Sequence, residues 1–317
     1  MEYYDEKLFE SESDGHSEVG EFAEDTMERI DEDVSSMSSY ADSNVDLEVP
    51  PADPLVSKFP LTSTGATCNT FRLWSHGKTY FVKQMKDEFL PKKFYHNIYR
   101  KEFEVGRRLK SRYIVKFYNL VDTPQQCYIV MEYLHGVTLK DKLKYERGYF
   151  RNRKNLTKFL DQLLHGLQHL HLHQVIHLDL KPANIMLTRK DNDVKIIDLG
   201  FCYTDKFERT TGKTRAFAAP EQLDGSHNID VRTDIYAVGK ILQYIFDKTF
   251  SGSIPSRFRY WEKIMDRCLE KDKEKRFQSI DVIIDLNKAY RPSKWPWIVA
   301  VLAGVAAVGT LMAFLLL

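Results

Sequence analysis

The last twenty residues, Ile298 to Leu317, contain no charged side chain. At a rise of 1.5 Å per residue, a helix of that length crosses the hydrocarbon core of a bilayer. A run that is apolar on every side has no polar face to offer as a surface helix. A transmembrane helix is therefore expected over 298–317, preceded by a juxtamembrane linker, 291–297. Trp295 and Trp297 stand where interfacial aromatics are expected, and Arg291 and Lys294 lie just before the run. That positive flank predicts a single-pass membrane protein whose other residues lie on the cytoplasmic side. Ala300 and Gly304 form a small-xxx-small pair, compatible with dimerisation without requiring it. Any globular domain must be built from the residues before this run.

The opposite end is excluded for a different reason. Residues 1–50 hold seventeen Asp and Glu against Lys7 and Arg29, a net of −15, so the remaining residues carry +16 of the chain's net +1. Together with Ser35, Ser36, Ser38, Ser39 and the run Val49-Pro50-Pro51-Ala52-Asp53-Pro54, this composition buries too little apolar surface to offset ordering entropy. A disordered acidic tail is expected over 1–57. The N-terminus shows no basic-then-apolar leader. Cys68, Cys127, Cys202 and Cys268 are widely spaced and without a CxxC pair, which suits a reducing compartment better than a disulfide framework or zinc site. The basic remainder alone gives no reason to invoke nucleic acid.

Globular composition begins at Lys58 and runs to Tyr290. Thr79–Met85 and Cys127–Met131 read as short strands, with a helical stretch, Tyr95–Lys110, between them. Leu156, Phe159, Leu160, Leu163, Leu164, Leu167 and Leu170 recur at helical spacing and form one apolar stripe. Two further strand-like pieces, Ile185–Leu187 and Val194–Ile197, precede a mainly helical remainder. A strand-rich part followed by a helical part predicts an α+β domain of two unequal lobes.

Chemistry concentrates in His177-Leu178-Asp179-Leu180-Lys181-Pro182-Ala183-Asn184, then Asp198-Leu199-Gly200 and Ala219-Pro220-Glu221. In order and spacing these resemble the catalytic loop, the metal-binding element and the APE motif of the eukaryotic-type serine/threonine protein kinases. The resemblance spans 58–290 and implies a bilobal protein-kinase-like fold, with an N-lobe over 58–133 and a C-lobe over 134–290. The C-lobe and terminal run look similar to those of bacterial membrane-anchored eukaryotic-like kinases.

The resemblance implies ATP and Mg²⁺ as cofactors, with Mn²⁺ an alternative, and the Ser or Thr hydroxyls of cytosolic proteins as acceptors. Asp179 would take the hydroxyl proton and Lys181 would neutralise the γ-phosphate. A lysine at that position looks like the Ser/Thr rather than the Tyr branch. Asn184 and Asp198 would bind the metal through hard oxygen donors. Lys83, in the apolar run Phe81-Val82-Lys83, would bind ATP. A buried ammonium needs a partner, and Glu102 is expected, with Glu104 as the alternative. Met131, Glu132 and Leu134 would form the gatekeeper and hinge. Thr214 would face the substrate, while Asp234 would support the catalytic loop and Arg276 would pair with Glu221.

Three elements depart from the pattern. The glycine-rich loop falls on Ser63, Gly65 and Cys68, so Gly65 alone remains to approach phosphate. Leu178 replaces an arginine that normally receives an activation-loop phosphate, so Thr210, Thr211 and Thr214 cannot use that switch in the usual way. Gly106, four residues after Glu102, weakens its helix and offers no side chain for packing. A mobile helix is expected there. The loss of glycines favours a competing reading, a pseudokinase acting as a tethered nucleotide-sensing scaffold. A third reading makes the acidic tail the main functional element.

Overall fold

The computed structural model describes residues 57–61, 67–204, 216–223 and 228–290. The acidic residues up to 56, Gly65, Thr210, Thr211, Thr214, the linker 291–297 and the run 298–317 lie outside them. Among the described residues, no helix is long and apolar enough to cross a membrane.

The first part is an antiparallel sheet of order β1-β2-β3-β5-β4. Its strands are β1 (Ser57–Pro60), β2 (Cys68–Ser75), β3 (Lys78–Met85), β4 (Phe117–Thr123) and β5 (Gln126–Glu132). Ser57, expected in the tail, opens β1 and pairs with Trp74. The β2–β3 hairpin turns on His76 (φ 48°) and Gly77 (φ 73°). Two consecutive left-handed residues match the right-handed twist of the flanking strands.

Helix α1 (Lys93–Arg108) packs on this sheet. It is pinned at its N-terminal half, where His96 and Arg100 both bond the Asp122 carboxylate of β4 and His96 Nε2 lies 2.9 Å from the Leu90 carbonyl. Cys127 of β5 joins this corner: donor atoms of His96, Asp122 and Cys127 lie within 4.8 Å of one another. Sequence spacing shows no His near any cysteine, because these three residues come from different elements. Burial, reinforced by Asp122, pushes the Cys127 thiol up to about 12, so it stays protonated. The corner is a hydrogen-bonded clasp.

Gly106 requires a correction. A Cβ there would sit 2.3 Å from two carbons of the Phe117 ring, so the ring of β4 lies directly on the helix backbone. The missing side chain is the condition for that packing, and α1 does have a packing surface at this point. Phe117 is buried and opposite Met131, leaving its ring little room to yield. Gly106→Ala is therefore expected to lose about 1–2 kcal/mol in denaturant unfolding: overpacking costs roughly 1–3 kcal/mol and outweighs the alanine's helix propensity. A stability gain would show that the ring moves aside freely.

The second part begins with β6 (Gly136–Thr138) and α2 (Leu139–Tyr145). Then comes α3 (Arg153–Leu172), capped by Asn152, which accepts from the Lys154 N–H. The apolar stripe from Leu156 to Leu170 is buried throughout and makes α3 the spine of this lobe. Strands β7 (Ile185–Thr188) and β8 (Val194–Ile196) form a three-stranded sheet with β6. Helices α4 (Pro220–Leu223), α5 (Val231–Thr249), α6 (Arg259–Cys268) and α7 (Ile280–Ala289) complete the described residues. The division into a sheet lobe and a helical lobe matches the two unequal lobes expected.

Candidate active site

Lys83 lies mid-strand in β3, between Thr70 of β2 and Ile129 of β5. Its ammonium bonds both carboxylate oxygens of Glu102, at 3.1 and 2.8 Å, and reaches Asp198 Oδ1 at 3.3 Å. Glu102 is fully buried on α1. Burial opposes the charge on Lys83, but Asp198 and Glu102 outweigh it and hold the ammonium well above its ordinary value. Burial likewise pushes Asp198 up, yet Lys83 and the Gly200 N–H bring it down to about 2. Glu102 behaves oppositely: burial, only partly countered by Lys83 and reinforced by Asp198, lifts it to about 7. Two carboxylates thus face one cation, and the more deeply placed one retains a proton longer.

This imbalance has a measurable sign. A carboxyl raised on folding binds its proton more tightly in the folded chain. Its stabilising contribution is complete below the ordinary value of 4.5 and is lost as pH climbs to about 7. Across that window, nucleotide-free protein is expected to lose up to about 3 kcal/mol that Glu102→Gln does not lose. Melting temperatures of the two proteins against pH test this. Parallel curves would remove Glu102 as the responsible group.

The catalytic segment is a loop between α3 and β7. It is entered through a bridge between Ile176 and Tyr203. Leu178 has φ 63°, a left-handed conformation costly for a bulky side chain. Its neighbours impose it: Asp234 on α5 accepts the N–H groups of His177 (2.8 Å) and Leu178 (3.0 Å), and Gln222 Nε2 donates to the Leu178 carbonyl (2.9 Å). Beyond the turn, Asn184 Nδ2 donates to Asp179 O (2.9 Å) and Oδ2 (3.1 Å), and Lys181 Nζ lies 3.3 Å from the same Oδ2. With its amide nitrogen committed to Asp179, Asn184 keeps Oδ1 for another ligand. The Ile197 N–H donates to the Asn184 carbonyl, placing Asn184 and Asp198 on adjoining segments. An amide oxygen and a carboxylate ionised down to about pH 2 form a donor set suited to Mg²⁺.

The remaining expected residues divide by role. Arg276, fully buried, meets Glu221 with two parallel bonds of 2.7 and 2.8 Å, and Thr233 Oγ1 donates to the same carboxylate. Met131 is buried at the end of β5, and Leu134 packs on the core beyond it. The Glu132 N–H donates to the Lys116 carbonyl and its carboxylate holds Lys195 at 2.9 Å, which fixes the end of β5. Gly65 and Thr214 lie outside the described residues. Glu104, the alternative partner for Lys83, does not take that role.

Two residues escaped the sequence reading. Gln222 clamps Leu178 with its nitrogen and accepts the Ala219 N–H with its oxygen, linking the APE segment to the catalytic loop. Its place beside Glu221 was the available signal. His171 Nε2 lies 2.8 Å from Asp234 Oδ2, and nothing in the sequence points to a partner 63 residues away. Burial pushes the Asp234 carboxyl up, but this contact and the His177 N–H outweigh it and keep it below its ordinary value.

The family model for the protein kinase domain matches residues 63–280. Serine/threonine-protein kinase D2 of Homo sapiens is 36% identical over 158 residues, 48% of this chain and 18% of that protein. A probable serine/threonine-protein kinase of Clostridium acetobutylicum is 29% identical over 234 residues, 64% of this chain and 35% of the relative. The chain thus spans well under half the length of either. Among solved structures, the kinase domain of Mycobacterium tuberculosis PknI superposes with a TM-score of 0.59 at 18% identity, covering 74% of this chain and 95% of that one. At that identity the likeness is one of fold, a bilobal kinase fold with a sheet N-lobe and a helical C-lobe.

Proposed function

The chain belongs to the protein kinase domain family, and on that premise we propose that it transfers the γ-phosphate of ATP to Ser and Thr hydroxyls of other proteins while tethered to a membrane through residues 298–317. The observation that carries this is the convergence of two clusters: Lys83 held by Glu102 beside Asp198, and Asp179 held by Asn184 and Lys181.

Each group has a task in an in-line displacement. Glu102 fixes Lys83 so that its ammonium meets the ATP phosphates without searching for a rotamer. Asp179 takes the proton from the acceptor hydroxyl as its oxygen attacks the γ-phosphorus, and the bond to the β-phosphate oxygen breaks to release ADP. Lys181, beside Asp179, offsets charge on the transferring group. A Mg²⁺ ion held by Asn184 Oδ1 and Asp198 would supply electrostatic neutralisation of the phosphates. Catalysis of this kind is mostly positioning and charge, and the residues present supply both. The paired lysine and ionised Asp198 favour an enzyme over a nucleotide-sensing scaffold.

The test is transfer from labelled ATP with Mg²⁺ to a generic protein substrate by the full chain in detergent. Lys83→Met is expected to reduce it at least about a hundredfold. Phosphoserine and phosphothreonine, without phosphotyrosine, are the expected products. No transfer by the folded wild-type chain would reject the reading. Retention in the membrane fraction after carbonate washing, lost on removal of 298–317, tests the tether separately.

A further inference from the structure

Far from the catalytic cleft, the N-terminal end of α3 meets the C-terminal end of α7 around a pocket of about 530 Å³. We propose that this pocket binds the phosphate-bearing headgroup of an anionic phospholipid, an inference that rests on the membrane tethering proposed above. Arg153, Lys154, Lys158 and Lys288 line it, against one carboxylate, Asp161. Its volume suits a headgroup-sized ligand.

Charge placement supplies a second argument. The N-terminal end of a helix carries a partial positive charge and favours anions. The first turn of α3 has no acidic residue and instead carries Arg153 and Lys154. Cations stacked on the positive end of a twenty-residue helix raise the potential of the pocket, and a bound anion relieves it. Lys158 is partly drawn away, to Asp193 at 2.9 Å and the Asp191 carbonyl at 2.6 Å. Lys154 and Lys288 are exposed, and neither forms an ion pair among the described residues.

Position supplies the third. Tyr290, on the pocket wall, is gripped where the described chain ends. Its hydroxyl accepts from Arg153 Nη1 at 2.7 Å, and its ring lies 4.2 Å from Trp261 and 5.2 Å from Tyr260, centroid to centroid. Seven residues, 291–297, separate this fixed point from the uncharged run, a reach of at most about 25 Å. A tethered chain therefore holds the pocket within one short linker of the lipid surface, where lysines are attracted to anionic headgroups.

The experiment uses the full chain with vesicles of phosphatidylcholine alone or mixed with phosphatidylserine. Flotation with neutral vesicles reads the tether. Hydrogen exchange over residues 153–158 and 286–290 reads the pocket. Phosphatidylserine is expected to slow exchange there, and Lys154→Glu with Lys288→Glu should weaken that protection on the order of tenfold. The pair Lys140→Glu with Lys144→Glu, exposed on α2 and identical in net charge, should not. Equal loss in both pairs, or flotation without any phosphatidylserine effect, overturns the pocket. So does protection already present without lipid and abolished by deleting residues 1–50, which would assign the pocket to the acidic segment. If the chain fails to float with neutral vesicles the tether falls, and phosphatidylserine protection at 153–158 still decides the pocket for or against.

Discussion

Asp179→Asn is expected to lower phosphate transfer by about 10²–10⁴-fold while leaving the fold and ATP binding in place, the range associated with losing a positioned general base. The substitution is nearly isosteric, and Asn184 can still donate to the side-chain oxygen and to the main-chain carbonyl at residue 179. What disappears is the proton acceptor and the charge facing Lys181, 3.3 Å away. Nucleotide affinity should be unchanged, because the groups assigned to phosphate and metal, Lys83, Asn184 and Asp198, are untouched. Single-turnover transfer with saturating ATP isolates the chemical step, and a fluorescent nucleotide measures binding in parallel. A fall in binding with normal turnover would place Asp179 in ground-state recognition and remove it as the base.

The largest expected loss of stability is at Arg276. All five guanidinium N–H groups are engaged: two with Glu221, and one each with the carbonyls of Glu270, Arg232 and Lys271. The guanidinium also lies 4.9 Å from the centre of the Tyr236 ring. Arg276→Met strands a buried carboxylate and three carbonyls, and breaking such a pair from one side costs about 3–5 kcal/mol. That is a large fraction of the typical total for a domain. Most of it should come from the abandoned charge, so Arg276→Met combined with Glu221→Leu should lose less than the two single changes summed. Urea midpoints for the four proteins close the cycle. Simple additivity would mean that the pair contributes no coupling.

What could be read in advance follows from how the functional groups are strung together. Residues 177–184, 198–200 and 219–221 each place several groups within a few positions, so their order along the chain already carries the pattern. Lys83 was legible for another reason: an ammonium in an apolar strand demands a counter-charge, and α1 offered Glu102. The less legible features depend on contacts between distant positions. Gly106 looked like a defect because its complement, the Phe117 ring, lies on another element. Gln222 and His171 show their roles through contacts with Leu178 and Asp234. The His96, Asp122 and Cys127 corner joins one helix and two strands, and no spacing rule anticipates it.

Leu178 links these observations. Its left-handed turn is set by a carboxylate from α5 and a side-chain amide from α4. The clasp is made entirely by side chains of this chain. On the proposed function, such a centre is ready whenever its ligands are present, and its output follows traffic: how often acceptor proteins reach the cleft, and which of them share its surface. Control would then lie in supply and confinement, with the enzyme acting as a steady tap on whatever passes within the reach of its tether.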